Sequence, residues 1–336
     1  MFTIDYTPYK FRDNLDLQFL DWESLSANPR AVYFLNHHQE KINWFQLSAN
    51  PNAIVLLEQH QERIDWAMIC HNKNALHLIE ANLDKVIKNR GVDILSENPE
   101  AVNIIENNLN VQDKIGGRYI SRNPQAIHFL EANPEYIDWV CLSSNPNAVQ
   151  LLEKNIDKIA WCQLSKNPGA IYLLEKNLDK VYWDFLSENE NSIPLLEKNP
   201  DKICWNWLSF NPNAIHLIEQ NQDKIVWEWL SRNKNAMHLL RENPSEISDP
   251  YLSYNDIWNE DIFDPRDIEL LTQYPEQLNW DSLSETKVIF EIDYQVLKDR
   301  IEPFKEELIQ KCFHPDRLVR YLETYNYDIG EDEYQD

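Results

Sequence analysis

Apolar and polar positions along the chain recur with a period of 22 residues. The segment Trp205–Trp227 reads WNWLSFNPNAIHLIEQNQDKIVW, and Trp139–Trp161 repeats it as WVCLSSNPNAVQLLEKNIDKIAW. Counted from the first Trp as position 0, a unit has Leu at +3, Ser at +4, Asn-Pro at +6 and +7, Ala at +9, apolar residues at +10, +12 and +13, and Asp-Lys at +18 and +19. A fixed period of this kind is the sequence signature of a repeat architecture.

Each unit is predicted to form two short helices. Asn at +6 is a favoured N-cap, and Pro at +7 suits the first helical position. The apolar side chains of residues 214–218 then follow helical spacing. A second helix is expected over residues 223–231, because Asp223 at its start would oppose the positive end of the helix dipole. Helices this short are marginal in isolation, so neighbouring units must cover each other's apolar sides, as in a solenoid.

The predicted fold class is therefore all-α, an elongated α-solenoid of about eleven two-helix units between two caps. A leucine-rich-repeat horseshoe has an overlapping period, but it needs a strand with alternating Leu. Here the Leu residues are adjacent, as at Leu173 and Leu174. The expected segments are an N-terminal cap at 1–21, the array at 22–247 with an irregular joint near 88–117, degenerate repeats at 248–285 in which Trp258 and Trp280 keep the period, a C-terminal helical cap at 286–328 and an acidic tail at 329–336.

Composition narrows the possible functions. The formal charge of −25 argues against nucleic-acid and anionic membrane partners, which need clustered Lys and Arg. Only 5 residues are Gly, which argues against Gly-rich phosphate-binding loops. The 5 cysteines form no CxxC pair, so neither a disulfide framework nor a zinc site is predicted, and a cytoplasmic location is expected.

No position indicates catalysis, and we expect a protein without enzymatic activity, cofactor or metal. The histidines at +11 lie on successive units, about 10 Å apart by interhelix spacing, which is too far to share one metal ion. These histidines are His77, His128, His216 and His238. The tripeptide His314-Pro315-Asp316 resembles the J-domain signature that docks an Hsp70-type chaperone, but the segment before it is acidic or balanced. A co-chaperone role is therefore a remote alternative.

Ligand contacts are expected where the units differ, which is chiefly at positions +1, +2, +5, +11 and +15. Aromatic residues together with Arg are typical of protein interfaces. The candidate protein-binding residues are Arg122, Lys166, Tyr172, Phe185, Trp207, Phe210, Trp229 and Arg232. The alternative is that Trp207 and Trp229 only fill gaps between units. Capping alone explains the Asn at +6, and a polar ladder in which this Asn bonds to backbone across units is a further hypothesis.

The unit W..LS.NPNAI.LLE.N.DKI.W resembles that of uncharacterised repeat proteins encoded by giant viruses, the nucleocytoplasmic large DNA viruses. The segments 304–308 and 313–318 also resemble the end of those proteins. The resemblance is strong over residues 20–245 and moderate over 280–330, and it fails at 88–117 and 248–270. It implies a helical array of viral origin, but it brings no established activity, so no functional residue is carried over.

Taken together, the sequence predicts a non-enzymatic repeat scaffold that binds another protein, in the host cytoplasm if the chain is viral. A structural or assembly component of the virion is the alternative. Neither the identity of the partner nor the oligomeric state follows from the sequence.

Overall fold

The computed structural model describes residues 8–12, 20–108, 111, 114–247, 251–260, 264, 266–273, 278–302, 305 and 314. Over this part of the chain the protein is mostly helical, and its only sheet is a two-stranded ladder. The expectation of a helical protein is confirmed.

The helices recur in pairs, a first helix that begins at or near position 0 and a second helix later in the unit. The first helices are Trp22–Ala27, Trp44–Ala49, Met68–His71, Val92–Glu97, Gly117–Ile120, Trp139–Ser143, Trp161–Lys166, Trp183–Glu188, Trp205–Phe210, Trp227–Leu230, Tyr251–Tyr254 and Trp280–Glu285. The second helices are Val32–Asn36, Ile54–Gln59, Leu76–Ala81, Val102–Glu106, Ile127–Ala132, Val149–Glu153, Ile171–Glu175, Ile193–Glu197, Ile215–Gln220, Met237–Glu242 and Asp267–Gln273. The remaining α-helices and strands described are Leu83–Lys88, Tyr294–Ile301, Tyr9–Phe11 and Phe290–Ile292.

The helix expected over residues 223–231 is interrupted. Gln222–Lys224 forms a 3₁₀ turn, Val226 is extended (φ −107°, ψ 95°), and Trp227–Leu230 is a separate helix. The backbone N–H of Val226 donates to Ser209 Oγ, on the preceding first helix, at 3.2 Å. Because this N–H bonds outside its own segment, it does not continue a helix, and the prediction of one continuous helix was wrong.

The Asn side chain at +6 joins each unit to the one before it. Asn167 is fully buried; its Nδ2 donates to the carbonyls of Ser143 and Asn145 at 3.0 and 2.9 Å, and its Oδ1 accepts from the N–H of Gly169 at 2.9 Å. The same pair of donor bonds to the preceding unit is made by Asn28, Asn50, Asn72, Asn123, Asn145, Asn189, Asn211, Asn233 and Asn255. The hypothesis of an Asn ladder between units is confirmed.

The Ser at +4 forms a second ladder beside the first. Ser143 Oγ donates to the carbonyl of Trp139 at 2.7 Å and accepts from the N–H of Ala160, the residue before the next first helix, at 3.0 Å. The hydroxyls that accept in the same way are those of Ser26, Ser48, Ser121, Ser165, Ser187, Ser209, Ser253 and Ser284. Buried polar side chains therefore satisfy backbone groups that the short helices leave without partners.

The first helices form a closed circuit. Each is joined to the next by packing or by ladder bonds, and Trp280–Glu285 packs directly against Trp22–Ala27. Asn28 Nδ2 donates to the carbonyls of Ser284 and Thr286 at 2.9 and 2.6 Å, which is the same pair of donor bonds that Asn167 makes to the unit before it. In the circuit, Trp280–Glu285 therefore stands before Trp22–Ala27 in the same way that each first helix stands before the next one.

A short antiparallel ladder completes the closure. Residues 9–11 pair with residues 290–292, and the rings of Phe11 and Phe290 stack with their centroids 4.6 Å apart. In the segment predicted as an N-terminal cap, 1–21, residues 9–11 form this ladder, whereas the first helix Trp22–Ala27 is covered by Trp280–Glu285.

The first helices lie on the inner side of the circuit. Neighbouring first helices pack closely against one another. Neighbouring second helices are bridged by long side chains, such as Lys176 to Glu153 (3.6 Å) and His216 to Glu197 (3.1 Å). In a closed circuit the layer with the shorter distance between neighbours has the smaller radius, so the first helices face the centre.

The irregular joint does not interrupt the Asn ladder. Asn98 Nδ2 donates to the carbonyl of Cys70 at 2.9 Å, and Asn123 Nδ2 donates to the carbonyl of Asn98 at 3.0 Å. The extra residues turn at Gly91, where an added Cβ would lie only 2.8 Å from the carbonyl oxygen of Trp66. Glycine is required here because the two backbones approach so closely.

Trp258 lies 22 residues before Trp280, but it does not occupy position 0 of its unit. It stands three residues after Asn255 of the ladder, which is position +9, where most units have Ala. Its side chain is fully buried, and its Nε1 donates to the carbonyl of Leu252 at 2.7 Å. Trp280 does begin a first helix, as expected.

Only part of the predicted C-terminal cap lies among the described residues. The helix Tyr294–Ile301 lies within the expected cap at 286–328. Pro315 and Asp316 of the J-domain-like tripeptide and the tail at 329–336 lie outside the described residues.

Replacing Gly169 by asparagine is expected to destabilise the protein less than replacing it by alanine, by about 1 kcal/mol, the net value of one hydrogen bond. Gly169 occupies position +8, where Asn147 and Asn191 donate from Nδ2 to a carbonyl of the preceding unit at 3.0 and 3.1 Å. The corresponding acceptor, the Pro146 carbonyl oxygen, would be 2.6 Å from an ideal Cβ at Gly169. The measurement is the urea midpoint of Gly169→Asn. Gly169→Ala, which adds the Cβ without the donor, should destabilise; equal destabilisation by both would contradict the prediction.

Candidate functional site

Three positions of each first helix face the centre of the circuit. On Trp205–Phe210, Leu208 and Ser209 are buried between units, whereas Asn206 is exposed and Trp207 and Phe210 are half-buried. Positions +2 and +5 are three residues apart and share one side of a helix, with +1 adjacent to them. The variable positions +1, +2 and +5 therefore line the inner surface.

Aromatic residues at position +2 form a continuous row on one arc of this surface, here called the aromatic strip. It consists of Phe185, Trp207, Trp229 and Tyr251, from four successive units. The ring centroids are 6.4, 5.2 and 6.4 Å apart along the row. Side chains at this spacing touch across the units, so the strip presents one apolar surface.

Two cations lie on the aromatic rings. Lys166 Nζ is 4.3 Å from the ring centroid of Phe185. The guanidinium of Arg232 is 5.1 Å from the ring of Phe210 and 5.9 Å from that of Trp229. Each such contact stabilises by roughly 0.5–1 kcal/mol at an exposed site. These contacts hold the long side chains against the strip, so both cations are positioned before any ligand arrives.

A cleft of about 390 Å³ adjoins the strip, formed by positions +5 and +7 of successive units. Lys166, Glu188, Phe210 and Arg232 line it at position +5. Lys166 Nζ forms an ion pair with Glu188 Oε2 at 3.4 Å. That oxygen and Arg232 Nε are buried, and neither has a hydrogen-bond partner among the described residues.

The structure brings six of the eight predicted site residues together. They are Lys166, Phe185, Trp207, Phe210, Trp229 and Arg232. Sequence reasoning missed Glu188, Tyr251 and Tyr254, although Tyr254 lies 5.8 Å from the Arg232 guanidinium. The motif Leu252-Ser253-x-Asn255 would have identified both tyrosines, because it places them at +2 and +5.

The other two predicted residues lie elsewhere. Arg122 occupies position +5 on a different arc, where its Nη1 donates to Glu97 at 3.0 Å; this bond raises the pKa of Arg122. Tyr172 is on a second helix, in the outer layer, and its hydroxyl donates to Glu153 at 2.6 Å, which raises the pKa of Tyr172. Neither residue contributes to the aromatic strip.

The described residues contain no group of three His, Cys, Asp or Glu side chains that could hold a metal ion. The histidines at +11 instead contact a Glu of the preceding unit, as in His77 with Glu58 (2.9 Å) and His238 with Glu219 (2.9 Å). These pairs repeat along the outer layer and connect neighbouring second helices.

Cys70 is expected to resist alkylation in the folded protein. Its side chain is fully buried, and burial, with a smaller contribution from Asp65, raises its pKa from 9.0 to about 12. At pH 8 this shift alone lowers the reactive thiolate fraction by roughly 1,000-fold, since only the thiolate is nucleophilic. Iodoacetamide labelling followed by mass spectrometry should modify half-buried Cys162 first. In denaturant the two should react alike, and equal rates in the native protein would contradict the prediction.

No helix in the described part of the chain is long and apolar enough to cross a bilayer. Comparison with known proteins gives no match to any family model, curated protein or solved structure.

Proposed function

We propose that this protein is a non-enzymatic scaffold that binds another protein through the aromatic strip and its adjoining cleft. The observation that carries this proposal is the contiguous row of half-buried rings from Phe185 to Tyr251 on the inner surface. Tyr, Trp and Arg are enriched among the residues that dominate binding energy at protein interfaces. The charge of −25 favours a protein over a nucleic acid as the partner.

The proposed architecture is a closed α-solenoid of twelve units, one for each first helix. At an interhelix distance of roughly 8–10 Å, twelve units give a circumference of about 110 Å. After allowance for the helix diameter, the central opening is on the order of 20 Å wide. An opening of this size admits a helix or an extended segment but excludes a folded domain, so the strip is accessible to a protruding or flexible part of a partner.

Affinity capture from cells that produce the protein tests the proposal. The double variant Trp207→Ala/Trp229→Ala is expected to lose a protein that the wild type retains, by 100-fold or more in affinity, because truncating each interface anchor costs about 2 kcal/mol. Phe45→Ala is the control, since Phe45 is half-exposed at position +1 on another arc.

The double variant must keep the wild-type circular dichroism spectrum for the comparison to count. If it retains every protein that the wild type retains, the strip is not the binding surface. The two tryptophans would then serve only to fill space between units, and their loss would lower the urea midpoint alone.

A further inference from the structure

The edge of the aromatic strip at position +1 carries two exposed carboxylates. Asp184 precedes Phe185 of the strip, and Glu228 precedes Trp229. Neither carboxylate forms an ion pair with another described residue. Asp184 faces the thiol of Cys204, a neutral group, and after burial this contact contributes to the raised pKa of Cys204. The negative charges of both carboxylates are therefore available to a ligand that lies on the strip.

The opposite edge of the strip, at position +5, has charges that are already matched or held on the rings. Lys166 and Glu188 form an ion pair with each other at 3.4 Å. The guanidinium of Arg232 lies 5.1 Å from the ring centroid of Phe210, and no ion pair among the described contacts joins it to Glu228, four residues earlier. The strip thus has an uncharged centre and one acidic edge.

The acidic character of position +1 extends beyond the strip to other arcs of the circuit. The first helices described carry carboxylates at this position in five units, and Arg118 is the single cation there: Glu23, Asp93, Asp184, Glu228 and Asp281. Because the same ladder bonds join the units, their first helices run in the same direction, and position +1 lies at one end of the circuit. A concave surface lined by one sign of charge raises the local concentration of ligands of the opposite sign.

We propose, on the basis of the function proposed above, that the aromatic strip binds a basic segment of the partner, in which Lys or Arg residues flank apolar side chains. The apolar side chains pack on Trp207 and Trp229, and the cations pair with Asp184 and Glu228. These two carboxylates are two units apart, and one unit alone spans roughly 8–10 Å, so a single cationic side chain does not reach both. The segment therefore supplies at least two cations. An acidic segment would meet the same carboxylates as like charges and is rejected.

Selection from two peptide pools tests this proposal on the full-length protein. Both pools draw on the same apolar and neutral residues at randomised positions. The charged residues are only Lys and Arg in the first pool and only Asp and Glu in the second. The expected result is enrichment of the cationic pool by about 10-fold or more, as complementary charge speeds association and like charge suppresses it. Equal enrichment of the two pools would overturn the inference.

Matched variants separate binding at the strip from general attraction to a chain of charge −25. Asp184→Asn/Glu228→Gln removes two negative charges beside the strip, and Glu23→Gln/Asp281→Asn removes two at the same position on another arc. All four side chains are exposed, and an unchanged circular dichroism spectrum checks the fold.

The first double variant should lower the affinity for the selected cationic peptides by about 10-fold, chiefly through slower association, and the second by less than about 3-fold. Raising the salt concentration should weaken binding to the wild type more than binding to the first variant, because salt screens the lost charge pairs. Equal losses in the two variants would mean that only the general field attracts the peptides, and the inference would fail.

The variants also separate this inference from the proposed function. A partner that is lost by Trp207→Ala/Trp229→Ala but retained by Asp184→Asn/Glu228→Gln would mean that the strip recognises a segment without the proposed cations. In that case only the inference about a basic segment fails. If neither a partner nor a peptide depends on Trp207 and Trp229, the proposed function fails with it.

Discussion

Replacing Asn28 by aspartate is expected to destabilise the protein as much as the same change at Asn167, by about 3–5 kcal/mol each. Both amides are fully buried, and each donates from Nδ2 to two carbonyls of the neighbouring unit. Aspartate keeps the oxygen that caps the following turn but turns both donor bonds into contacts between acceptors. Each buried carbonyl left without a donor costs roughly 1–3 kcal/mol, and a buried charge adds to this.

The equality of the two effects is what tests the closed circuit. In an open array Asn28 would stand in the first unit with no unit before it, and its loss would cost no more than an N-cap, about 1 kcal/mol. Urea unfolding at pH 7 provides the measurement. Asp138→Ala is the cap-only control, because Asp138 caps its helix by accepting from the N–H of Cys141 and its side chain makes no bond to another unit in the described contacts. A small effect at Asn28 beside a large one at Asn167 would refute the closure.

Replacing Trp258 by alanine is expected to destabilise the protein by about 3–5 kcal/mol, the usual cost of truncating a buried Trp. The change restores the residue that most units have at +9, so a consensus argument predicts stabilisation instead. The structure predicts the opposite, because the Trp258 side chain is fully buried and its Nε1 satisfies the Leu252 carbonyl. The cavity left by its removal outweighs any benefit of restoring the common residue.

Ser192→Ala is the matched comparison at the same position. Ser192 is also fully buried, and its hydroxyl oxygen has no hydrogen-bond partner. Removing an unsatisfied buried hydroxyl is expected to stabilise the protein by about 1 kcal/mol. Two substitutions that both restore the consensus should thus move the urea midpoint in opposite directions. A shift of the same sign for both would contradict the packing described at +9.

Much of the unit follows from its sequence, because the determinants are local. Asn-Pro at +6 and +7 marks a helix start through capping, and the apolar spacing identifies the face that packs. The break at Val226 does not follow, because it depends on a hydrogen bond to Ser209 on the preceding first helix. A local hydrophobic pattern contains no information about which backbone groups a distant side chain satisfies.

The closed circuit could not be predicted from the repeat for a related reason. Closure depends on the small rotation between neighbouring units, summed around the whole chain, and each unit specifies that rotation only through its packing. The contact between Trp22–Ala27 and Trp280–Glu285 joins residues more than 250 positions apart and uses the same Asn and Ser bonds as adjacent units. Nothing in those residues distinguishes a bond within the array from one that joins its ends.

The candidate site, like the fold, could be predicted from the sequence only in part. The aromatic residues at +2 were predicted because their variability sets them apart from the framework, and six of the chosen residues do lie together. Tyr251 and Tyr254 were missed because their unit lacks the Trp from which positions were counted. The ion pair between Lys166 and Glu188 and the burial of Arg232 Nε depend on side-chain packing across units, which the sequence does not encode.

The packing of Trp280–Glu285 over the helix Trp22–Ala27 also has a consequence for assembly. A stack of identical units with a bare end can accept a second chain there and then a third, and such head-to-tail addition produces open filaments. In this protein the surface that would recruit another copy is already occupied by residues 280–285 of the same chain. The molecule is thereby protected against end-to-end polymerisation, in the way that a closed barrel is protected by having no free edge.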